Sequence, residues 1–240
     1  MSKLLIKKIF NNLGLEICRY NSTSSSVVQM RKLIKHHNID LIIDVGANTG
    51  QYAKSLREFG YSDRIISFEP LSSVYEKLVQ NSKKDPLWEI APRMAIGDHD
   101  GEITINIANN SVSSSVLEML DSHAKAAPNS VYIDSETVRL SRLDSIAKEY
   151  ISKYQSHSIF LKIDVQGFER QVIEGVKDII HLIKGVQLEL SLVPLYKDQV
   201  LFEEMLEILK NKGYQLYSVI PGFNDPKTGR MLQMDGIFFK

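Results

Sequence analysis

The sequence predicts an α/β fold with a doubly wound, mainly parallel sheet, and two regularities of the chain support this. Short apolar runs typical of buried strands alternate with longer segments in which apolar residues recur at helical spacing. Such alternation implies parallel strands that are covered by helices on both faces. The last two strands have no helix between them, so we expect the final strand to run antiparallel.

The individual elements follow from these patterns and from the turn residues that end them. Strands are predicted at residues 41–45, 64–68, within 88–96, and at 102–108, 137–140, 158–165, 186–190, 214–220 and 235–239. Helices are predicted at residues 3–12, 27–37, 51–59, 71–81 and 141–150, from 169 onward, and at 202–212. The first two helices form an N-terminal helical extension, residues 1–38, and residues 39–240 form the α/β domain.

The bulk composition narrows the classes of function. The chain of 240 residues carries 29 Lys and Arg and 29 Asp and Glu, so no global positive field exists to attract nucleic acid. Cys18 is the single cysteine, so an intrachain disulfide is excluded and a cytoplasmic setting is favoured. We expect Cys18 to be a small apolar residue that fills space. No apolar run approaches the ~20 residues that a transmembrane helix needs.

The first predicted helix is amphipathic and admits two interpretations. Its apolar residues at positions 4, 5, 9 and 13 and its lysines at positions 3, 7 and 8 are expected on opposite sides. The helix either caps the domain or lies on a membrane surface. Because it is short and is followed by a glycine, we favour the capping role.

The sharpest local signal is the loop after the first buried strand, which reads Asp-Val-Gly-Ala-Asn-Thr-Gly from Asp44 to Gly50. Doubly wound sheets bind nucleotides where such a loop joins a strand to a helix. Gly46 allows a tight turn beside a ligand, and Gly50 lets the helix start close to it. A dinucleotide fingerprint would need glycine in place of Asn48. Asp44 would repel a pyrophosphate but suits a cationic sulfonium ligand.

A second signal is Glu69, which ends the next strand about 20 residues after the loop, where an acid typically accepts hydrogen bonds from both hydroxyls of a ribose. Taken alone, Glu69 would be interpreted as an ordinary charge at the start of a helix. Together with the loop it predicts a nucleoside ligand.

These segments and several later ones resemble the motifs of FkbM-type methyltransferases, in the order of that family. The resemblance rests on DVGANTGQYA at 44–53, SFEP at 67–70, AIGD at 95–98 with the turn at Gly101, the serine-rich stretch 111–115, RLSRLD at 139–144 and LKIDVQGFE at 161–169. It covers residues 40 to 219 and is far more specific than any single motif.

The resemblance implies a class I methyltransferase fold, which is Rossmann-like, and methyl transfer from S-adenosylmethionine, usually to a hydroxyl of a sugar or natural product. It places Asp44, Gly46 and Glu69 against the cofactor. It places Ile96 and Asp98 beside the adenine. The cofactor-binding residues we expect are Asp44, Gly46, Asn48, Gly50, Glu69, Ile96 and Asp98. The family pattern also puts residues 109–115 on the substrate side.

Two later strands end in charged residues. Lys162 and Asp164 share one face of the strand at 158–165, and Glu189 lies near the carboxyl end of the strand at 186–190. A lysine inside a buried strand has to be paired. Lys162 and Asp164 therefore form either a structural ion pair or part of the catalytic machinery, and the catalytic candidates are Asp164, Lys162 and Glu189.

The carboxylates of Asp164 and Glu189 admit two roles. One of them takes the proton of an acceptor hydroxyl as a general base, or the two bind Mg²⁺ through their oxygen atoms. His123 is an alternative base, although we expect it to be an ordinary histidine on a surface helix.

The leading hypothesis is therefore an S-adenosylmethionine-dependent O-methyltransferase with a small-molecule or saccharide acceptor. A homo-oligomer is one expected assembly of the chain. A methyltransferase for protein or nucleic acid is less favoured because the net charge is zero. An NAD-dependent oxidoreductase is less favoured, because Asn48 stands where a dinucleotide fingerprint has its middle glycine. A non-catalytic nucleoside-binding module of the same fold remains, although the retained Asp44, Glu69 and Asp164 argue against it.

Overall fold

The structure is a computed structural model that describes residues 3–17 and 19–240, so Cys18 lies outside the described residues. Its strands are β1 Leu41–Val45, β2 Arg64–Phe68, β3 Trp88–Ile90, β4 Ala95–Gly97, β5 Gly101–Ala108, β6 Tyr132–Arg142, β7 Ile159–Ile163, β8 Ile183–Ser191, β9 Gln215–Pro221 and β10 Gln233–Phe239. Its helices are α1 Lys3–Asn12, α2 Ser26–His36, α3 Gln51–Glu58, α4 Ser72–Ser82, α5 Asp121–Ala126, α6 Leu143–Tyr154, α7 Glu169–Glu174 and α8 Phe202–Asn211, with a short 3₁₀ helix at Pro128–Ser130.

A seven-stranded sheet forms the centre of the fold, in the order β3-β2-β1-β7-β8-β10-β9. The first five of these strands are parallel, and β10 is antiparallel to both of its neighbours. The predicted mainly parallel sheet with an antiparallel last strand is therefore confirmed. The strand order reverses between β1 and β7, and the crevice at such a switch point is where open α/β sheets bind ligands.

Helices cover both faces of this sheet, as a doubly wound fold requires. Successive side chains of a strand point to opposite faces. Ile43 of β1 accordingly shares one core with residues of α6, α7 and α8, while the adjacent Ile42 shares the opposite core with Ile34 of α2 and Leu56 of α3. Since α2 packs on the sheet, part of the N-terminal extension joins the core, and the division of the chain at residue 38 stays a prediction.

A second sheet of three strands, in the order β4-β6-β5, was not expected from the sequence. The single strand predicted within 88–96 is divided, because β3 pairs with the edge of the large sheet and β4 with the small one. Strand β6 is longer than the predicted 137–140, since its polar first half pairs with β5 outside the main core. The small sheet shares a core with Leu71 and Phe168 beside the crevice.

The outcome for α1 differs from the expected capping role. Among the described residues, none from 3 to 17 belongs to a hydrophobic core, and Leu4 and Leu13 are exposed. The described contacts therefore do not support the capping role. No helix in the described part of the chain is long and apolar enough to cross a membrane.

The junction between α7 and β4 predicts the effect of one substitution. A Cβ atom on Gly175 would lie 1.9 Å from the carbonyl oxygen of Gly97, so any side chain there forces the backbone apart. We expect Gly175→Ala to lower the free energy of unfolding by about 3 kcal/mol, measured by urea denaturation. Gly101→Ala is the matched control, because its Cβ would meet nothing closer than 3.8 Å. An equal loss in both variants would contradict this account.

Candidate active site

The carboxyl ends of the parallel strands and the beginning of β10 surround a cavity of about 410 Å³, which is within the usual range of small-molecule sites. Seven of the predicted site residues line it: Gly46, Asn48, Glu69, Ile96, Lys162, Asp164 and Glu189. Three others, Asp44, Gly50 and Asp98, are absent from its wall.

The loop after β1 is shaped by close backbone contacts. Gly46 has a φ of +76°, and a Cβ atom on it would lie 1.9 Å from the carbonyl oxygen of Asp164. The N–H groups of Gly46 and Ala47 both donate to the carbonyl of Phe68. Gly50 is the N-cap of α3 and has a φ of +87°, and a Cβ atom on it would lie 2.3 Å from the Trp88 ring. Close packing therefore requires glycine at both positions. Gly50 does not line the cavity and lies behind its wall.

Glu69 connects this loop to the end of β2. Its Oε2 accepts a hydrogen bond from the N–H of Asn48 at 2.8 Å, and its Oε1 accepts one from the N–H of Leu71 at 2.9 Å. Burial raises the pKa of Glu69 to about 7, although both N–H donors oppose the shift. The carboxyl group at the cavity wall therefore changes protonation state near neutral pH.

Lys162 lies between two carboxylates beneath the loop. Its Nζ is 3.3 Å from Oδ1 of Asp44 and 3.3 Å from Oδ2 of Asp164, and it donates to the carbonyl of Gly46. Burial works to lower the pKa of Lys162, but Asp164 and Asp44 outweigh it and raise the pKa above its ordinary value. Asp44 is fully buried and also accepts a hydrogen bond from Ser67. The contact of Asp44 with the cofactor, which the family resemblance implies, stays a prediction.

Two further carboxyl groups face the cavity beside Asp164. Glu189 of β8 and Asp235 of β10 are direct partners in the antiparallel register. Burial, reinforced by Asp164, raises the pKa of Glu189 well above its ordinary value. Burial raises the pKa of Asp235 to about 6, again with help from Asp164. Three carboxyl groups, those of Asp164, Glu189 and Asp235, thus line the same part of the cavity.

A chain of polar side chains that the sequence analysis missed leads to Asp235. The hydroxyl of Tyr52 donates to Oε1 of Gln187 at 3.0 Å, and Nε2 of Gln187 donates to Oδ2 of Asp235 at 3.3 Å. An antiparallel strand begins at the sheet edge where parallel strands end. The acidic residue that opens the predicted strand at 235–239 was therefore a signal that could have placed Asp235 in the site.

The predictions for Ile96 and Asp98, for His123 and for the serine-rich loop have different outcomes. Ile96 lies in the wall beside Met94, but the Asp98 carboxylate is 2.7 Å from Nδ1 of His99 outside the cavity. The surface position expected for His123 is wrong, because only 3% of this residue is exposed and its ring packs against Tyr196. Burial also lowers the pKa of His123. Ser111, Ser114 and Ser115 of the serine-rich loop line the cavity, and the position of this loop on the substrate side stays a prediction.

The structure does not support the predicted Mg²⁺ site. Within residues 3–17 and 19–240, no group of three His, Cys, Asp or Glu side chains could hold a metal ion. The amide of Gln166 lies between the two predicted ligands, donating to Oδ1 of Asp164 at 2.9 Å and to Oε2 of Glu189 at 2.6 Å.

The charge of the wall decides which ligands suit the cavity. Lys162 is the one cationic side chain among the described residues that line it, and two carboxylates already neutralise it. A pyrophosphate would find no unpaired cation there. A cationic ligand would instead meet carboxylates, and Leu71, Met94 and Ile96 offer apolar surface to a flat ring.

Comparison with known proteins places this site in a family. The family model described as "Methyltransferase FkbM domain" matches residues 44–216, which include every predicted catalytic and cofactor residue. No curated protein matches the chain in sequence. The match confirms the resemblance on which the sequence analysis relied.

Solved structures of methyltransferases are also similar to the chain. The methyltransferase FkbM from Methylobacillus flagellatus is 12% identical, with a TM-score of 0.49 over 85% of this chain and 44% of that one. Fibrillarin from Aeropyrum pernix, solved with bound S-adenosylmethionine, is 12% identical, with a TM-score of 0.44 over 82% of this chain and 66% of that one. The chain thus spans less than half the length of the Methylobacillus protein.

The buried ion pairs of Lys162 predict a large effect on stability. Removing the ammonium leaves Asp44 and Asp164 as uncompensated carboxylates, so we expect Lys162→Met to lower the free energy of unfolding by about 3 kcal/mol at pH 7. The loss should shrink as the pH falls, because protonation neutralises the two carboxylates. Urea denaturation at several pH values measures it.

Lys197→Met is the control, since it removes an exposed ion pair with Glu118. It should change the free energy of unfolding by less than about 1 kcal/mol. Equal effects of the two substitutions would show that the buried lysine has no special role.

Proposed function

The chain belongs to the FkbM methyltransferase family, and we propose that it transfers the methyl group of S-adenosylmethionine to a hydroxyl of a saccharide or another small molecule. The observation that carries this proposal is the charge of the cavity wall. Glu69 stands at one end, a group of carboxyl side chains at the other, and Lys162 between them is already neutralised. This pattern favours a sulfonium ligand over a pyrophosphate.

We assign the nucleoside part of the cofactor to the end of the cavity beside the β1 loop. Glu69 would accept hydrogen bonds from the ribose hydroxyls, and Leu71 and Ile96 would cover the adenine ring. Asp164 would face the cationic part of the cofactor at the centre of the cavity. The bound cofactor supplies an electrophilic methyl group, so the protein has to align the acceptor oxygen with it and exclude water.

We assign the removal of the acceptor proton to Asp235. Both oxygens of Asp164 are occupied, by Lys162 and Gln166, and Oε2 of Glu189 already accepts hydrogen bonds from Gln166 and Gln233. In the described structure Asp235 accepts a single hydrogen bond, from Gln187. With a pKa of about 6 it is ionised at neutral pH yet remains basic, as a general base should be. Asp235 would take the proton of the acceptor hydroxyl as its oxygen accepts the methyl group, while the sulfur–methyl bond breaks and the cofactor leaves as a neutral thioether.

The other predicted catalytic residues then have supporting roles in the proposal. Lys162 and Asp164 hold the loop and the cofactor in position, and Glu189 accepts hydrogen bonds from the amides of Gln166 and Gln233. A protein or nucleic acid acceptor, and a non-catalytic nucleoside-binding module, are the alternatives that the experiments below distinguish. The cytoplasmic location and the homo-oligomer stay predictions.

The state of Glu69 predicts that cofactor affinity depends on pH. Its carboxyl group accepts hydrogen bonds from ribose at both oxygens only when ionised, and its pKa is about 7 without ligand. Lowering the pH through 7 therefore weakens binding. We expect S-adenosylhomocysteine, which has the same ribose, to bind about tenfold more weakly at pH 6 than at pH 8, because the ionised fraction falls about tenfold.

Isothermal calorimetry measures this dependence. Glu69→Gln cannot ionise and should bind weakly at both pH values. A tenfold difference that persists in this variant would assign the pH dependence to another group and remove the ribose role of Glu69.

The function itself is tested by following labelled methyl groups. S-adenosylmethionine labelled in its methyl group is incubated with the protein and, in separate reactions, with saccharides, other hydroxylated small molecules, protein and nucleic acid. We expect label in the hydroxylated acceptors. Asp235→Asn should lower the transfer rate by at least about a hundredfold, because the proton acceptor is lost, and should leave the affinity for S-adenosylhomocysteine within about twofold.

Asp134→Asn is the matched control, because Asp134 is exposed and outside the cavity, and it should retain full activity. Full activity of Asp235→Asn would exclude Asp235 as the base. Label in protein or nucleic acid alone would replace the proposed acceptor. Cofactor binding without transfer to any class of acceptor would favour the non-catalytic module.

A further inference from the structure

The N-terminal helix presents an apolar side to solvent. Ile6, Ile9, Phe10 and Leu13 recur at the spacing that aligns side chains along one side of a helix. Of these, Ile9 is 44% and Leu13 is 68% exposed. Large apolar side chains grouped on a protein surface mark a binding site for another apolar surface.

The end of α1 extends this apolar side by one more residue. The N–H of Gly14 donates to the carbonyl of Asn11, and the N–H of Leu15 donates to the carbonyl of Phe10. This pair of bonds is a Schellman motif, which turns the chain back at the end of the helix. Leu15, which is 55% exposed, therefore lies at the end of α1 instead of leading away from it.

The charge of the same region is strongly positive. Residues 1–38 contain seven Lys and Arg and a single Glu, whereas the whole chain has zero net charge. The lysines at 7 and 8 on α1 and the basic residues at 31, 32 and 35 on α2 are all exposed. None of these five forms a salt bridge with an acidic side chain of the described residues.

We propose that the N-terminal surface formed by α1 and Leu15, with the exposed Lys7 and Lys8, binds membranes that contain anionic lipids. The apolar side of α1 would enter the boundary between headgroups and acyl chains. The basic side chains would face the anionic headgroups, and an amphipathic helix with lysines on its polar face has the composition of interfacial helices.

Charge favours a membrane over a second copy of this chain as the occupant. Two copies joined through α1 would bring two strongly basic regions together, and their repulsion opposes that contact. An anionic membrane surface attracts each of them. Because α1 is short, we expect the association to be weak and reversible, with insertion and charge both needed for it.

Flotation of the 240-residue protein with lipid vesicles tests the proposal. The protein should float with vesicles of phosphatidylcholine and phosphatidylserine and not with vesicles of phosphatidylcholine alone. The double variant Ile9→Asp with Leu13→Asp should lose this association. Lys7→Glu with Lys8→Glu should weaken it by at least about tenfold, since each basic residue near an anionic surface contributes about 1 kcal/mol.

Two double variants serve as matched controls. Val131→Asp with Ile133→Asp places the same charges at apolar positions that are 46% and 63% exposed elsewhere, and Lys83→Glu with Lys84→Glu reverses another adjacent lysine pair. Both should float like the unchanged protein. All variants should bind S-adenosylhomocysteine as the unchanged protein does, which separates this test from that of the proposed function.

Three results would overturn the proposal. The first is a protein that floats with neither kind of vesicle, and the second is flotation that survives Ile9→Asp with Leu13→Asp. The third is sedimentation evidence for a dimer that the same double variant dissociates, with no vesicle binding by the unchanged protein. That last result would assign α1 to self-association.

Discussion

The ion pairs of Lys162 with Asp44 and Asp164 are the interaction on which the site depends. Asp44 belongs to β1, Asp164 follows β7, and the Lys162 ammonium also donates to the Gly46 carbonyl in the loop between β1 and α3. These contacts hold together the two strands at which the order of the sheet reverses. Because Gly46 also packs directly on the backbone of Asp164, the loop has little freedom to move away from β7.

This arrangement also sets the electrostatics of the cavity. Since Lys162 is fully engaged, the wall offers carboxyl groups that burial and mutual repulsion make unequal in acidity. Burial raises the pKa of Glu69 to about 7 and that of Asp235 to about 6, and it raises the pKa of Glu189 well above its ordinary value. Environments that separate the pKa values of neighbouring groups are typical of sites that move protons. The same sheet edge therefore supports both cofactor binding and proton transfer in the proposed reaction.

The features of the fold and of the site that were predictable from the sequence depend on short-range patterns. The buried strands at 41–45 and 64–68 and the loop glycine Gly46 follow from local composition and spacing, so their positions agree with the structure. Asp235 was missed because it reaches the site through an antiparallel register that pairs it with Glu189, a long-range contact. The exposure of Leu13 was also misjudged, because an amphipathic pattern shows that a helix has an apolar side but not what covers it.

The central claim is that the cavity binds S-adenosylmethionine and not a dinucleotide. Calorimetric titration of the purified protein with S-adenosylmethionine and, in parallel, with NAD tests it most directly. We expect binding of the first ligand in a one-to-one ratio and no heat of binding from the second. Binding of NAD without binding of S-adenosylmethionine would contradict the account, because it would mean that the acidic wall accepts a pyrophosphate.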